Sequence, residues 1–120
     1  MKSPASAEQK AVIVRALAVC PTDLASPRHR ETVPSLQVTS RCDCGCDSVN
    51  FEGWSIDPPA VILADGVGVA PDGSEVGVIV FGTEGAITGL EVYAPKDSPA
   101  RLPEVETIRG YDRSAPSQGI

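Results

Sequence analysis

Between residues 47 and 95 the chain contains no lysine, arginine or histidine, while eight acids fall there: Asp47, Glu52, Asp57, Asp65, Asp72, Glu75, Glu84 and Glu91. A surface that grips nucleic acid needs clustered bases to neutralise phosphates. This half of the chain has none, so no nucleic-acid partner is expected. Histidine is almost absent too, with His29 alone in 120 residues. There is no G-x-S-x-G elbow and no phosphate loop. The glycines of "GVGVAPDG" open onto a turn rather than a helix, so they lack the dinucleotide-binding context. These absences leave little for catalysis to work with, and a non-enzymatic protein is expected.

Long apolar runs are missing as well. "AVIVRALAVC" at 11–20 is broken by Arg15, and nothing approaches the ~20 apolar residues of a membrane span. Its "LAVC" ending superficially resembles a lipoprotein cleavage box, but Val19 stands where such boxes want a small residue. A cytoplasmic protein without a membrane partner is expected, with reduced thiols. Aromatics are few: Phe51, Trp54, Phe81, Tyr93 and Tyr111. The core must therefore rest on Val, Ile, Leu and Ala.

What is present is a single-domain pattern over 1–120, with 1–5 and 114–120 expected to fray. Residues 6–20 predict a helix. Ser6 and Gln9 stand at capping-box spacing, and Glu8 lies in the first turn, where the helix dipole favours an acid. Val12, Ile13, Ala16, Leu17 and Cys20 form one apolar stripe, and Pro21 ends it. The prolines of 21–35 mark a connector, in which His29 between Arg28 and Arg30 is expected to face water.

From Leu36 the period changes to two. Strands are expected in "LQVTSRC", "DSVNFEG", "AVILADGVGVA", "VGVIVFG" and "AITGLEVYA". "PDGSE" is a turn, and "TEG" predicts a short hairpin with Gly85 left-handed. In the fourth strand Val76, Val78 and Val80 share one face, and Ile79 and Phe81 the other. A strand apolar on both sides needs cover on each. The helix supplies one cover, and the segment around Leu102, Val105 and Ile108 is expected to supply part of the other. The fold class is α+β: an N-terminal helix packed on a four- to five-stranded antiparallel sheet.

Three of the four cysteines crowd into "RCDCGCDS", at the corner between the first two strands. In a straight strand Cys42, Cys44 and Cys46 would stand about 6.5–7 Å apart on one face. A zinc ion needs its sulfurs within roughly 4 Å of one another. Only a turn at Gly45 could gather them, and the paired C-x-x-C knuckles of a structural zinc site are absent. Buried turn thiols are the reading favoured here. A zinc site at Cys42, Cys44 and Cys46 is the alternative, and a Cys42–Cys46 disulfide is conceivable across a tight corner.

The candidate binding residues are Asp47, Glu52, Trp54, Glu91 and Tyr93. Trp54 is either an anchor for a partner or, more in keeping with its place after Phe51, a cover for the hairpin edge. Glu91 and Tyr93 project from one strand face, with Glu91 facing solvent or an arginine. The acidic stretch would raise the encounter rate with a basic partner.

"SRCDCGCDSVNF" (40–51) followed by "VGVIVFGTEGAITGLEVY" (76–93) resembles a family of small, functionally uncharacterised bacterial proteins. Those pair an R-C-x-C-G-C-x-S-V corner with a later strand pair ending G-x-L-x-x-L-E-V-Y; Ile87 takes the usual leucine place. The resemblance implies no activity and no functional residue. Small, acidic and free-standing, such proteins are similar to bacterial immunity proteins and antitoxins. A protein-interaction module for a basic partner is thus the expected function.

Overall fold

Ser6 starts the leading helix by reciprocal capping: its Oγ accepts the Gln9 N–H at 3.0 Å, and Gln9 Oε1 accepts the Ser6 N–H at 2.8 Å. The computed structural model describes residues 2–43, 45–94 and 99–110. In it this helix, α1, spans Ala7–Val19 and closes at Cys20, before Pro21. Val12, Ile13 and Ala16 are fully buried and Leu17 is half-buried at the margin of the stripe. Burying a side chain such as Ile13 stabilises the fold by about 1.5–3 kcal/mol.

The strands are β1 (Ser3–Pro4), β2 (Gln37–Arg41), β3 (Val49–Phe51), β4 (Val61–Val69), β5 (Glu75–Gly82) and β6 (Ile87–Tyr93). They form one antiparallel sheet in the order β1-β2-β3-β6-β5-β4. The expected helix and five strands are all present, and β1 is a sixth. Residues 3–5 are tied to the sheet: Ser3 pairs with Val38, Ala5 is buried, and its N–H reaches Leu36 O at 3.0 Å. Pro4 is tolerated because β1 lies at the sheet's edge. Residues 111–120, including the expected tail and Tyr111, lie outside the described residues.

The outer edge of β4 is covered by the chain itself. Thr22 N–H reaches Leu63 O and Asp65 N–H reaches Cys20 O, while Val67 and Arg109 exchange two bonds of 2.9 Å. Such cover blocks strand-to-strand aggregation. It also demands glycine at 66, where a Cβ would lie 2.5 Å from Arg109 O and 2.7 Å from Cys20 Sγ.

The two faces of the sheet differ. Val76, Val78 and Val80 are buried on the face that α1 covers, and Leu90 and Val92 are buried beside them on the same face. The C-terminal segment, expected on the opposite face, packs on this one. Pro103 and Thr107 lie against Gly68, the cross-strand partner of Val76, and a 3-10 turn at Val105–Thr107 touches α1. Ile79 and Phe81, on the other face, are only half-buried.

The connector holds a short helix, α2 (Pro27–Thr32), with proline at its first position. His29 on it is fully buried rather than solvated. Its Nδ1 accepts the Ser26 N–H at 3.0 Å, so Nε2 carries the proton and donates to Thr83 O at 2.7 Å. Arg28 and Arg30 flank it in sequence but leave the helix about 100° to either side, into solvent. The β5–β6 turn closes by Thr83 N–H to Ala86 O, and Gly85 is not left-handed. Among the described residues no helix is long and apolar enough to cross a membrane.

Candidate functional site: the uncovered face of the sheet

Strand register sets the side chains of this face in rows. Ser40, Asn50, Gly89, Phe81 and Ile62 run across β2, β3, β6, β5 and β4; the next row is Glu91, Ile79 and Asp65, and the next Tyr93, Gly77 and Val67. A Cβ on Gly77 would fall inside the Tyr93 ring, so the ring lies across that glycine. Such aromatic cover compensates a strand for a missing side chain. Asn50 Nδ2 donates to Ser40 Oγ at 3.2 Å, which fixes the amide.

Over these rows lies an open cavity of about 600 Å³, walled by Trp54, Phe81, Glu91 and Tyr93 with Gly89 on its floor. The cysteine corner forms one rim through Cys42 and Cys46. Trp54, expected to cover the hairpin edge, is 49 % exposed at the mouth; Tyr93 is 39 % and Ile62 38 % exposed. Glu91 is exposed, and among the described residues it makes no ion pair.

Three of the five candidate binding residues, Trp54, Glu91 and Tyr93, therefore meet. The other two are engaged elsewhere. Asp47 Oδ2 accepts the Leu102 N–H at 2.7 Å and its Oδ1 lies 3.5 Å from Arg101 Nη1, which fastens the C-terminal segment to the corner. Glu52 pairs with Lys2 at 2.6 Å beside β1; both groups are exposed, so the pair adds about 0–1 kcal/mol. Phe81, Gly89 and Asn50 were not singled out from the sequence. The signal for Phe81 was its alternation with Ile79; for Gly89 and Asn50 there was none.

The corner is held by its backbone. Gly45 takes φ +92°, open only to glycine in practice, and Cys42 N–H reaches Ser48 O at 3.2 Å. Ser48 Oγ accepts the Val92 N–H at 2.8 Å and donates to Val92 O at 3.1 Å, so a side chain continues the ladder. Cys42 is disulfide-bonded, contrary to the expectation of reduced thiols. The tight turn makes a bridge geometrically accessible where a straight strand would not. Cys46 is half-buried against the core, and Cys44 lies outside the described residues. A disulfide sulfur is not a thiolate, so Cys42 could serve zinc only after reduction. Among the described residues no three His, Cys, Asp or Glu side chains are grouped to hold a metal. Cys20, behind the sheet, is a free buried thiol whose pKa is pushed up, first by burial; it is chemically quiet.

Comparison with protein-family models, curated proteins and solved structures finds no match to this chain.

Proposed function

We propose that the protein is a non-enzymatic interaction module that docks a basic protein partner on the uncovered sheet face, in the manner of an immunity protein or antitoxin. One observation carries the reading: Trp54 and Tyr93 stand exposed with Glu91 around one cavity, while the opposite face is covered by α1 and the C-terminal segment. Contiguous apolar patches on soluble proteins mark interaction surfaces. The partner's sign follows from the charge distribution, since β3 to β6 carry acids and no base. Aromatic anchors supply affinity, and the acidic field supplies encounter rate. The one histidine spends both ring nitrogens on structural hydrogen bonds, which favours binding over catalysis.

The test is capture of a partner from the native host by tagged wild-type protein, in parallel with a Trp54→Ala/Glu91→Lys protein. A stoichiometric partner retained by the wild type, weakened by salt and lost by the double variant supports the reading. Equal retention by both, or indifference to salt, refutes it.

A further inference from the structure

The cavity's chemistry deepens that docking reading, on which this inference rests. We infer that the pocket above Gly89 receives the side chain of a partner's arginine.

Gly89 is the first reason. It lies in the interior of β6, where glycine weakens a strand. Its φ is not in the left-handed region, and the register shift beside it falls on Thr88, between the pairs Phe81–Gly89 and Gly82–Ile87. A Cβ there would meet Asn50 Oδ1 at 3.5 Å, Phe81 Cβ at 3.7 Å and Val49 O at 3.7 Å, ordinary contact distances. Gly66 and Gly82 differ, because a Cβ on either collides with backbone. A strand glycine marks either a bulge or a site of close approach; the bulge falls on Thr88, and the space over Gly89, which a methyl group would take, suits the second.

The surroundings select a flat cation. Asn50 donates through Nδ2 to Ser40, which leaves Oδ1 as an acceptor beside the floor. Glu91 follows Gly89 by two residues on the same face, about 7 Å along the strand, with no ion pair among the described residues. Trp54, Phe81 and Tyr93 add aromatic surface. Arg41 also borders the cavity, but it pairs with Val49 on the sealed face, so its side chain leaves the sheet on that side. Guanidinium offers planar donors to a carboxylate and an amide oxygen and stacks on aromatic rings; ammonium matches neither demand as well.

The probes are N-acetylarginine methylamide and its neutral near-isostere, N-acetylcitrulline methylamide. Trp54, the sole tryptophan, reports binding by fluorescence, and the Gly89 and Glu91 amides report it by NMR. The arginine compound should bind saturably, and the citrulline compound at least about tenfold more weakly; Glu91→Gln should erase the difference. Gly89→Ala should keep or raise the melting temperature while weakening arginine binding about tenfold or more. No saturable response, equal binding of the two compounds, or indifference to Glu91→Gln would overturn the inference. If arginine fails to bind while partner capture still depends on Trp54 and Glu91, the arginine assignment falls and the docking face stands. If arginine binds as expected and no partner is captured, the pocket's chemistry is upheld and the docking reading falls.

Discussion

Replacing Leu90 and Trp54 separately by alanine tests whether the sheet is sealed on one side only. Leu90 is 1 % exposed on the helix side of the sheet, whereas Trp54, the larger side chain, is 49 % exposed at the cavity on the other face. Truncating a buried leucine costs about 2–5 kcal/mol, because lost transfer free energy is joined by an unfilled cavity. Taking about 3 kcal/mol, and an unfolding entropy of about 2.1 cal/mol/K per residue, a chain of 120 residues loses about 12 °C in Tm. Trp54→Ala leaves no cavity, since water already reaches half the ring. Its cost should be about 1 kcal/mol or less, or about 4 °C. Thermal unfolding followed by far-UV circular dichroism reads both. A Trp54→Ala loss equal to that of Leu90→Ala would mean the second face is packed, and the docking argument would fail with it.

Other perturbations probe separate parts of the account. His29→Ala removes two hydrogen bonds and strands the Thr83 carbonyl, so the urea midpoint should fall by an equivalent of about 2–4 kcal/mol; an unchanged midpoint would mean the ring is not the tie between α2 and the β5–β6 turn. Because burial raises the Cys20 pKa above 9.0, the unfolded chain gives up that proton first as pH rises. The contribution is whole below pH 9.0 and declines above it, so wild-type stability should fall more than that of Cys20→Ala on crossing this pH; parallel profiles would contradict the buried thiol. For the corner, protein purified without chelator should carry less than about a tenth of an equivalent of zinc. One equivalent by elemental analysis would revive the zinc alternative at Cys42, Cys44 and Cys46.

The parts of the fold legible in the sequence are those fixed by local pattern. The capping pair Ser6 and Gln9, the stripe Val12–Ile13–Ala16, and the alternation of β4 to β6 each bury one face wherever the chain goes. What could not be read depended on distant docking. β1 is two residues ending in proline, and earns its place only because β2 offers an edge. Pro27 looked like a breaker but starts α2, because a first helical residue needs no N–H partner. His29 sits between two arginines in sequence, and only the helical rotation turns it inward. A strand apolar on both sides does not say which face will be sealed; that was decided by Gly66 and Gly68, which let 99–110 lie against β4 on the helix side. Trp54, Glu91 and Tyr93 were legible as candidates, but the Gly89 floor that joins them appears only once β3, β5 and β6 stand side by side.

The most direct test of the uncovered face is an amide chemical-shift map of the labelled protein titrated with its captured partner. The largest changes are expected at Asn50, Trp54, Phe81, Gly89, Glu91 and Tyr93, with the outer residues of α1 such as Lys10, Val14 and Ala18 unmoved. Changes concentrated on α1, with the amides around Gly89 silent, would contradict it.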